Sequence, residues 1–138
     1  MSSNVTPMEF ARLLLAYEVA SGKPADREAP AAFRVCEKLR APLGRLMGFD
    51  GFRSLLSRAL VLACAQLPVL CTLQIKANGS LGGLGELEAK LEARAIVEGE
   101  VVLVGQLLGL LVIFIGPGLT LRLLHEIWPE WKIEDFWQ

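Results

Sequence analysis

The sequence predicts an all-α fold, a compact bundle of five or six helices around a central apolar helix near residues 95–116. Apolar residues recur at intervals of three and four along most of the chain, which is typical of helices that bury one face. The stretch from Val101 to Leu121 carries no charged side chain, so a helix formed there is apolar on every side. We expect one helical domain that spans residues 1–138.

The first predicted helix has recognisable signals at both of its ends. The segment TPME at 6–9 combines a capping threonine, a proline suited to the first helical position and a glutamate that completes a capping box. The glycine and proline at 22 and 24 are typical of the residues that follow a helix. The sequence therefore predicts a helix between these two signals.

Two further helices are predicted before residue 68. The second begins at Pro30 and is interrupted by Pro42, which leaves a short turn over residues 43–47. The third has Asp50 as its N-cap and stops before Pro68. Both carry a wide apolar stripe on one side, so each is expected to lie against the central helix.

The middle of the chain changes its periodicity. Apolar and polar residues alternate over residues 70–76, which predicts a short extended segment. A strand needs a partner, and none is evident in the sequence. The glycine-rich segment NGSLGGLG at 78–85 follows and is typical of a turn.

The second half predicts helices separated by glycine and proline. A short helix covers residues 86–91, and a long one begins near Arg94. Gly-Pro-Gly at 116–118 is expected to break the long helix, because proline cannot continue the hydrogen-bond pattern. The helix resumes over residues 119–127 and ends at Pro129.

The uncharged stretch has two interpretations, a core helix or a bilayer span. Twenty-one helical residues would cross roughly 30 Å of hydrocarbon, and Gly105 and Gly109 form the GxxxG spacing of packed transmembrane helices. The unbroken part, residues 101–115, rises only about 22 Å, and no basic cluster flanks it. We therefore favour a core helix, with Gly105 and Gly109 as helix-packing positions, over a segment 101–121 inserted in the bilayer.

Cysteine usage favours a reducing compartment. Cys36, Cys64 and Cys71 are odd in number, lie among apolar residues and form no CxxC. This pattern is typical of structural free thiols. Together with a start that lacks the features of a signal peptide, it predicts a cytoplasmic protein.

Catalytic and cofactor signals are weak throughout the sequence. His125-Glu126 begins like HExxH, but Pro129 replaces the second zinc ligand. Ser54 and Ser57 could combine with His125, yet neither lies in a nucleophile elbow. The loop at 78–85 lacks the Lys-Ser/Thr pair of a P-loop, so nucleotide or small-ligand binding there is the weakest alternative. The prediction is a non-enzyme without cofactor or metal.

Charge patterning argues against nucleic acid as a partner. The formal net charge is -1, and the basic residues Arg34, Lys38 and Arg45 are interrupted by Glu37. The first 60 residues carry nine basic and six acidic side chains, whereas the rest carries five basic and nine acidic ones. This split is compatible with ordinary solvated helix faces or with a charged partner.

The C-terminal segment is the strongest candidate for a protein interface. Trp128, Trp131, Phe136 and Trp137 lie close together in the sequence, and tryptophan is enriched at interfaces. The alternative is that these rings fold back and cover the bundle, and the two alternatives are compatible.

A resemblance follows from three stretches of this sequence. GFRSLLSRALVLA, LVGQLLGLLVIFIG and LTLRLLHEIWP make the chain look like a group of small uncharacterised bacterial all-helical proteins, from about Phe33 to Trp128. The resemblance implies a bacterial, cytoplasmic origin and transfers no activity.

The function that we expect is therefore a small helical adaptor or subunit that binds another protein or its own copy. A membrane-inserted protein is the second choice.

Overall fold

The computed structural model describes residues 6–21 and 30–131 of the chain. Within these ranges six α-helices, one 3-10 helix and one two-stranded sheet are present, so the predicted all-α class is confirmed. The helices are α1 (Pro7–Ser21), α2 (Ala31–Met47), α3 (Phe49–Gln66), α4 (Leu84–Lys90), α5 (Ala93–Ile115) and α6 (Pro117–Ile127).

The capping box predicted for α1 is present. The Glu9 backbone N–H donates to Thr6 Oγ1 over 3.1 Å, and the Thr6 N–H donates to Glu9 Oε1 over 3.0 Å. These two bonds satisfy donors that the first turn of a helix cannot satisfy itself. The glycine and proline predicted to end α1, at 22 and 24, lie outside the described residues.

The predicted interruption at Pro42 is wrong, because α2 continues through Pro42 to Met47. Proline removes its own N–H from the ladder and crowds the carbonyl group four residues before it, but the neighbouring turns of α2 bury Leu39 and Leu43 completely. Burial of these side chains offsets the missing bond. The turn to α3 is instead made at Gly48, whose φ of 82° favours glycine.

Gly48 is also the N-cap of α3, so the assignment of this role to Asp50 is wrong. Asp50 lies inside the first turn of α3, where its carboxylate complements the positive end of the helix dipole.

The extended segment predicted at 70–76 is shorter than expected. Pro68–Thr72 forms the 3-10 helix, and only Gln74–Ile75 is a strand, β1. Its partner β2, Leu81–Gly82, runs antiparallel, with Gln74 opposite Gly82 and Ile75 opposite Leu81. The glycine-rich segment therefore contained the partner strand, which its composition concealed.

Helix α5 is the central element, as predicted. It packs against α1, α2, α3 and α6, and every residue from Gly99 to Gly105 is buried. It ends at Ile115, where Gly116 takes a φ of 87°, and α6 begins at Pro117. The predicted break at Gly-Pro-Gly is thus confirmed, and α6 ends before Pro129 as expected.

Candidate interaction surface

Two of the tryptophans proposed as interface residues lie in the core. Trp128 and Trp131 are both buried. The Trp131 ring centroid lies 5.1 Å from that of Phe10 and 5.8 Å from that of Tyr17, both on α1. These two rings cover the bundle and present no free face to a partner, whereas Phe136 and Trp137 lie outside the described residues.

Trp128 belongs to a buried polar cluster around Glu18. Glu18 is only 1% exposed. The Glu18 carboxylate accepts hydrogen bonds from Trp128 Nε1 (2.9 Å), Arg34 Nε (3.1 Å) and Lys38 Nζ (2.9 Å). Lys38 Nζ also lies 5.8 Å from the Trp128 ring centroid, within range of a cation–π contact. The cluster joins α1, α2 and the segment after α6.

The protonation of Glu18 follows from these contacts. Burial raises the pKa of its carboxyl group, but the hydrogen bonds from Lys38, Trp128 and Arg34 outweigh burial and hold the pKa below its usual range. Glu18 is therefore ionised at neutral pH. Arg34 and Lys38 both bind the Glu18 carboxylate, so two members of the basic set considered from the sequence serve the fold. The Lys38 side chain is nevertheless 45% exposed, and Arg45 is exposed as well.

A second buried carboxylate caps α2 from another helix. Glu100 on α5 accepts a hydrogen bond from the Ala32 backbone N–H over 3.1 Å. Pro30, the N-cap residue of α2, has no side chain that can do this. Glu100 thus caps the N-terminus of α2, as Thr6, the residue directly before α1, caps the N-terminus of that helix.

Gly105 and Gly109 lie where α1 crosses α5. A Cβ on Gly105 would fall 3.3 Å from Met8 Cα and closer still to Met8 Sδ, whereas a Cβ on Gly109 would lie 3.7 Å from Pro7. The absent side chain at position 105 lets the two backbones approach closely. Here the small residues mediate packing within the chain.

The polar groups of the glycine-rich loop at 78–85 form hydrogen bonds within the protein. Arg40 donates to the Asn78 carbonyl oxygen over 2.9 Å, and Asn78 Oδ1 accepts from the Ser80 N–H over 3.0 Å. A Cβ on Gly83 would lie 2.7 Å from the Thr72 carbonyl oxygen, so this glycine is required for close packing. These contacts give no support to nucleotide binding by residues 78–85.

Residues considered for catalysis lie on exposed helix surfaces. Ser54 and Ser57 line an open cavity of about 640 Å³ on α3, and His125 on α6 is not among its lining residues. Among the described residues, no group of three or more His, Cys, Asp or Glu side chains could hold a metal ion.

The cysteine prediction is wrong for two of the three residues. Cys64 near the end of α3 and Cys71 in the 3-10 helix form a disulfide, with Cα atoms 5.0 Å apart. Cys36 is a free, buried thiol, as predicted. Burial, together with the charges of Glu37 and Glu100, raises the pKa of Cys36 to about 12. Cys64 and Cys71 are seven positions apart in the sequence, and the turn into the 3-10 helix brings them together.

Helix α5 is only partly covered by the rest of the bundle. Among the described residues it is the one helix long and apolar enough to cross a membrane, with a mean hydropathy of 2.1 in its most apolar window. Half of that window is buried, and the core helix of a soluble protein passes the same test. Its most exposed apolar side chains lie toward its C-terminal end, where Ile113 is 81% exposed and Phe114 is 68% exposed.

These side chains belong to a larger exposed set at one end of the bundle. We call this set the apolar end, and it comprises Leu46, Phe49, Ile113, Phe114 and Leu119. Leu46 and Leu119 line one cavity of about 380 Å³, which shows that the end of α2 and the start of α6 are neighbours.

Charged residues border the apolar end. Arg45 and Arg122 line the same cavity as Leu46 and Leu119, together with the carboxylate of Glu126. Asp50 follows Phe49 in the first turn of α3. The sequence alone missed this surface, because the uncharged stretch looks equally apolar along its whole length.

No protein-family model, no curated protein and no solved structure matches this chain. The predicted resemblance to small bacterial helical proteins therefore stays a prediction.

Proposed function

We propose that this chain is a non-enzymatic helical interaction protein that binds its partner through the apolar end. The exposure of Ile113 and Phe114, two large apolar side chains at the tip of the most apolar helix, carries this proposal. Contiguous exposed apolar patches mark interaction sites, since water solvates them unfavourably. The surface differs from the one expected from the sequence, where Trp128, Trp131, Phe136 and Trp137 were the candidates.

The packing of α5 supports this proposal over a bilayer-spanning segment at 101–121. Residues 101–105 are covered on all sides by neighbouring helices, and Arg12 on α1 forms an ion pair with Glu98 on α5 at 2.7 Å. A spanning α5 would have to leave these neighbours or carry their charged side chains toward lipid, which is costly. Binding through the apolar end leaves the core intact.

The cysteines do not support the predicted cytoplasmic location. The expectation of a cytoplasmic protein used three free thiols, and the Cys64–Cys71 disulfide is typical of oxidising environments.

The test is site-specific photo-crosslinking in cells of the source organism. A photoreactive phenylalanine analogue replaces Phe114 in one variant and Val61 in a matched control. Val61 is 65% exposed on α3, so the two positions are similarly accessible. We expect a discrete adduct, to protein, to a second copy or to lipid, from position 114 and none from position 61. Equal labelling from both positions, or none from 114, would contradict the proposal.

A further inference from the structure

We infer that the partner of the apolar end is the surface of an anionic lipid membrane, into which Ile113, Phe114 and Leu119 insert. This inference rests on the proposed function and names the chemistry of the partner. It differs from a transmembrane span, because α5 stays at the centre of the bundle and only its C-terminal tip enters the lipid.

The shape of the apolar end favours a soft, continuous surface. Ile113 and Phe114 protrude, and a Cβ on Gly116 or on Gly118 would meet no atom within 4 Å. The α5–α6 turn is therefore a convex tip. A bilayer accommodates protruding apolar side chains of this kind, because it has no fixed shape to match.

The hydropathy of α5 points to the same partner. Its mean hydropathy of 2.1 is in the range of membrane segments, and the neighbouring helices cover only half of the most apolar window. Core packing explains the buried residues of α5. Between Val101 and Ile115 only Ile113 and Phe114 are exposed, and both are large apolar side chains of the kind that contact hydrocarbon.

The length of the exposed tip matches an interfacial depth. From Val112 to Gly116 a helix rises about 6 Å, and apolar faces of interfacial helices enter roughly 5–10 Å below the headgroups. The tip can therefore reach the acyl boundary while the first charged residue after it, Arg122, stays at headgroup level.

The charges around the tip complement anionic headgroups. Arg45 and Arg122 line the cavity beside Leu46 and Leu119, and Glu126 is the one acidic side chain that lines it. Residues 84–100, toward the other end of α5, instead carry five glutamates, one lysine and one arginine. An anionic surface therefore attracts the end that carries the tip.

The experiment is vesicle flotation with the full chain. One set of vesicles contains phosphatidylcholine only, and the other contains phosphatidylglycerol as about one lipid in three. We expect the protein to float with the anionic vesicles and to float several-fold less with the neutral ones. Raised salt should weaken binding without abolishing it, because insertion of apolar side chains is insensitive to screening.

Three variants test whether Ile113 and Phe114 are the residues that contact lipid. Phe114→Asp and Ile113→Asp should each reduce binding at least about tenfold, since each places a charge where hydrocarbon contact is expected. Val61→Asp makes the same change at a similarly exposed position about 18 Å along α3 from Phe49, and should bind as the natural chain does. All three positions are exposed, so equal thermal unfolding midpoints will show that the variants are folded.

Three outcomes would overturn the inference. If the natural chain floats with neither vesicle, or if Phe114→Asp and Val61→Asp bind equally well, the tip does not insert into lipid. The third outcome is that the natural chain binds no vesicles and forms a dimer in solution that the Phe114→Asp substitution dissociates. That result would show that a second copy covers the apolar end. In that last case the lipid inference fails, while the proposed function stands.

Discussion

Trp128 Nε1 donates a hydrogen bond to Glu18 Oε1 over 2.9 Å, which joins residues 110 positions apart in the sequence. The same carboxylate binds Arg34 and Lys38, so one buried charge connects the first helix, the second helix and the end of the sixth. Buried carboxylates are tolerated only when hydrogen bonds replace their lost hydration. The stability of the fold is therefore expected to depend on the Glu18 carboxylate.

Replacement of Glu18 by glutamine is expected to lower the free energy of unfolding by about 2 to 3 kcal/mol. The amide keeps one acceptor oxygen, but it cannot neutralise the Arg34 guanidinium, which is largely buried. Urea unfolding followed by circular dichroism measures the change. Glu98→Gln is the matched control, because its ion pair with Arg12 is exposed and should matter less. Equal effects of the two variants would show that the buried cluster contributes nothing special.

The stability should also depend on pH through Glu18. The pKa of Glu18 is lowered in the folded state, so the unfolded state binds protons more readily as the pH falls. The contribution of Glu18 is complete well above about pH 4.3, the usual unfolded value, and is lost as the pH falls through the folded pKa. Unfolding measured from neutral to acidic pH should show the difference between the natural chain and Glu18→Gln shrinking with acid. A difference that stays constant with pH would contradict the lowered pKa.

The two glycines of the GxxxG spacing should respond in opposite ways to alanine. Gly105→Ala places a Cβ against Met8 and is expected to cost about 1 to 2 kcal/mol of unfolding free energy. Gly109→Ala has ordinary van der Waals space and should be neutral or gain up to about 1 kcal/mol from helix propensity. Denaturant unfolding of both variants checks this.

A Met8→Ala substitution in the Gly105→Ala background should recover part of the loss, because it removes the side chain that the new Cβ meets. If Gly105→Ala instead changed the oligomeric state without changing stability, the glycines would act between chains.

The cysteines should titrate as one disulfide and one buried thiol. Alkylation of the unreduced, denatured chain is expected to modify Cys36 alone, as measured by intact mass. In the folded, unreduced chain Cys36 should react very slowly, because burial raises its pKa to about 12 and thiolate is the reactive form. Modification of three thiols in the unreduced, denatured chain would show that Cys64 and Cys71 are not paired.

Reduction of the disulfide should lower the free energy of unfolding by about 2 kcal/mol, since the closed loop is short. Cys64→Ser with Cys71→Ser provides the matched comparison, because it should be insensitive to reductant. If reductant also lowered the free energy of unfolding of that variant, the loss of stability would not come from the Cys64–Cys71 disulfide.

Local signals predicted the elements well. The capping box at 6–9 and the break at Gly116 depend on residues within one turn of each other, so they are readable without the fold. Pro42 shows the limit of this approach, because the burial of Leu39 and Leu43 in the tertiary core keeps α2 continuous despite a residue that ordinarily interrupts a helix.

The amino-acid sequence by itself determined the helical class, the central position of α5 and its end at Gly116, because periodicity and glycine–proline chemistry act over a few residues. Only the tertiary structure decided which apolar residues are covered. It buried Trp128 and Trp131, paired Cys64 with Cys71 and left Ile113 and Phe114 exposed. Burial depends on which distant helices lie against a segment, and hydropathy alone carries no information about those neighbours.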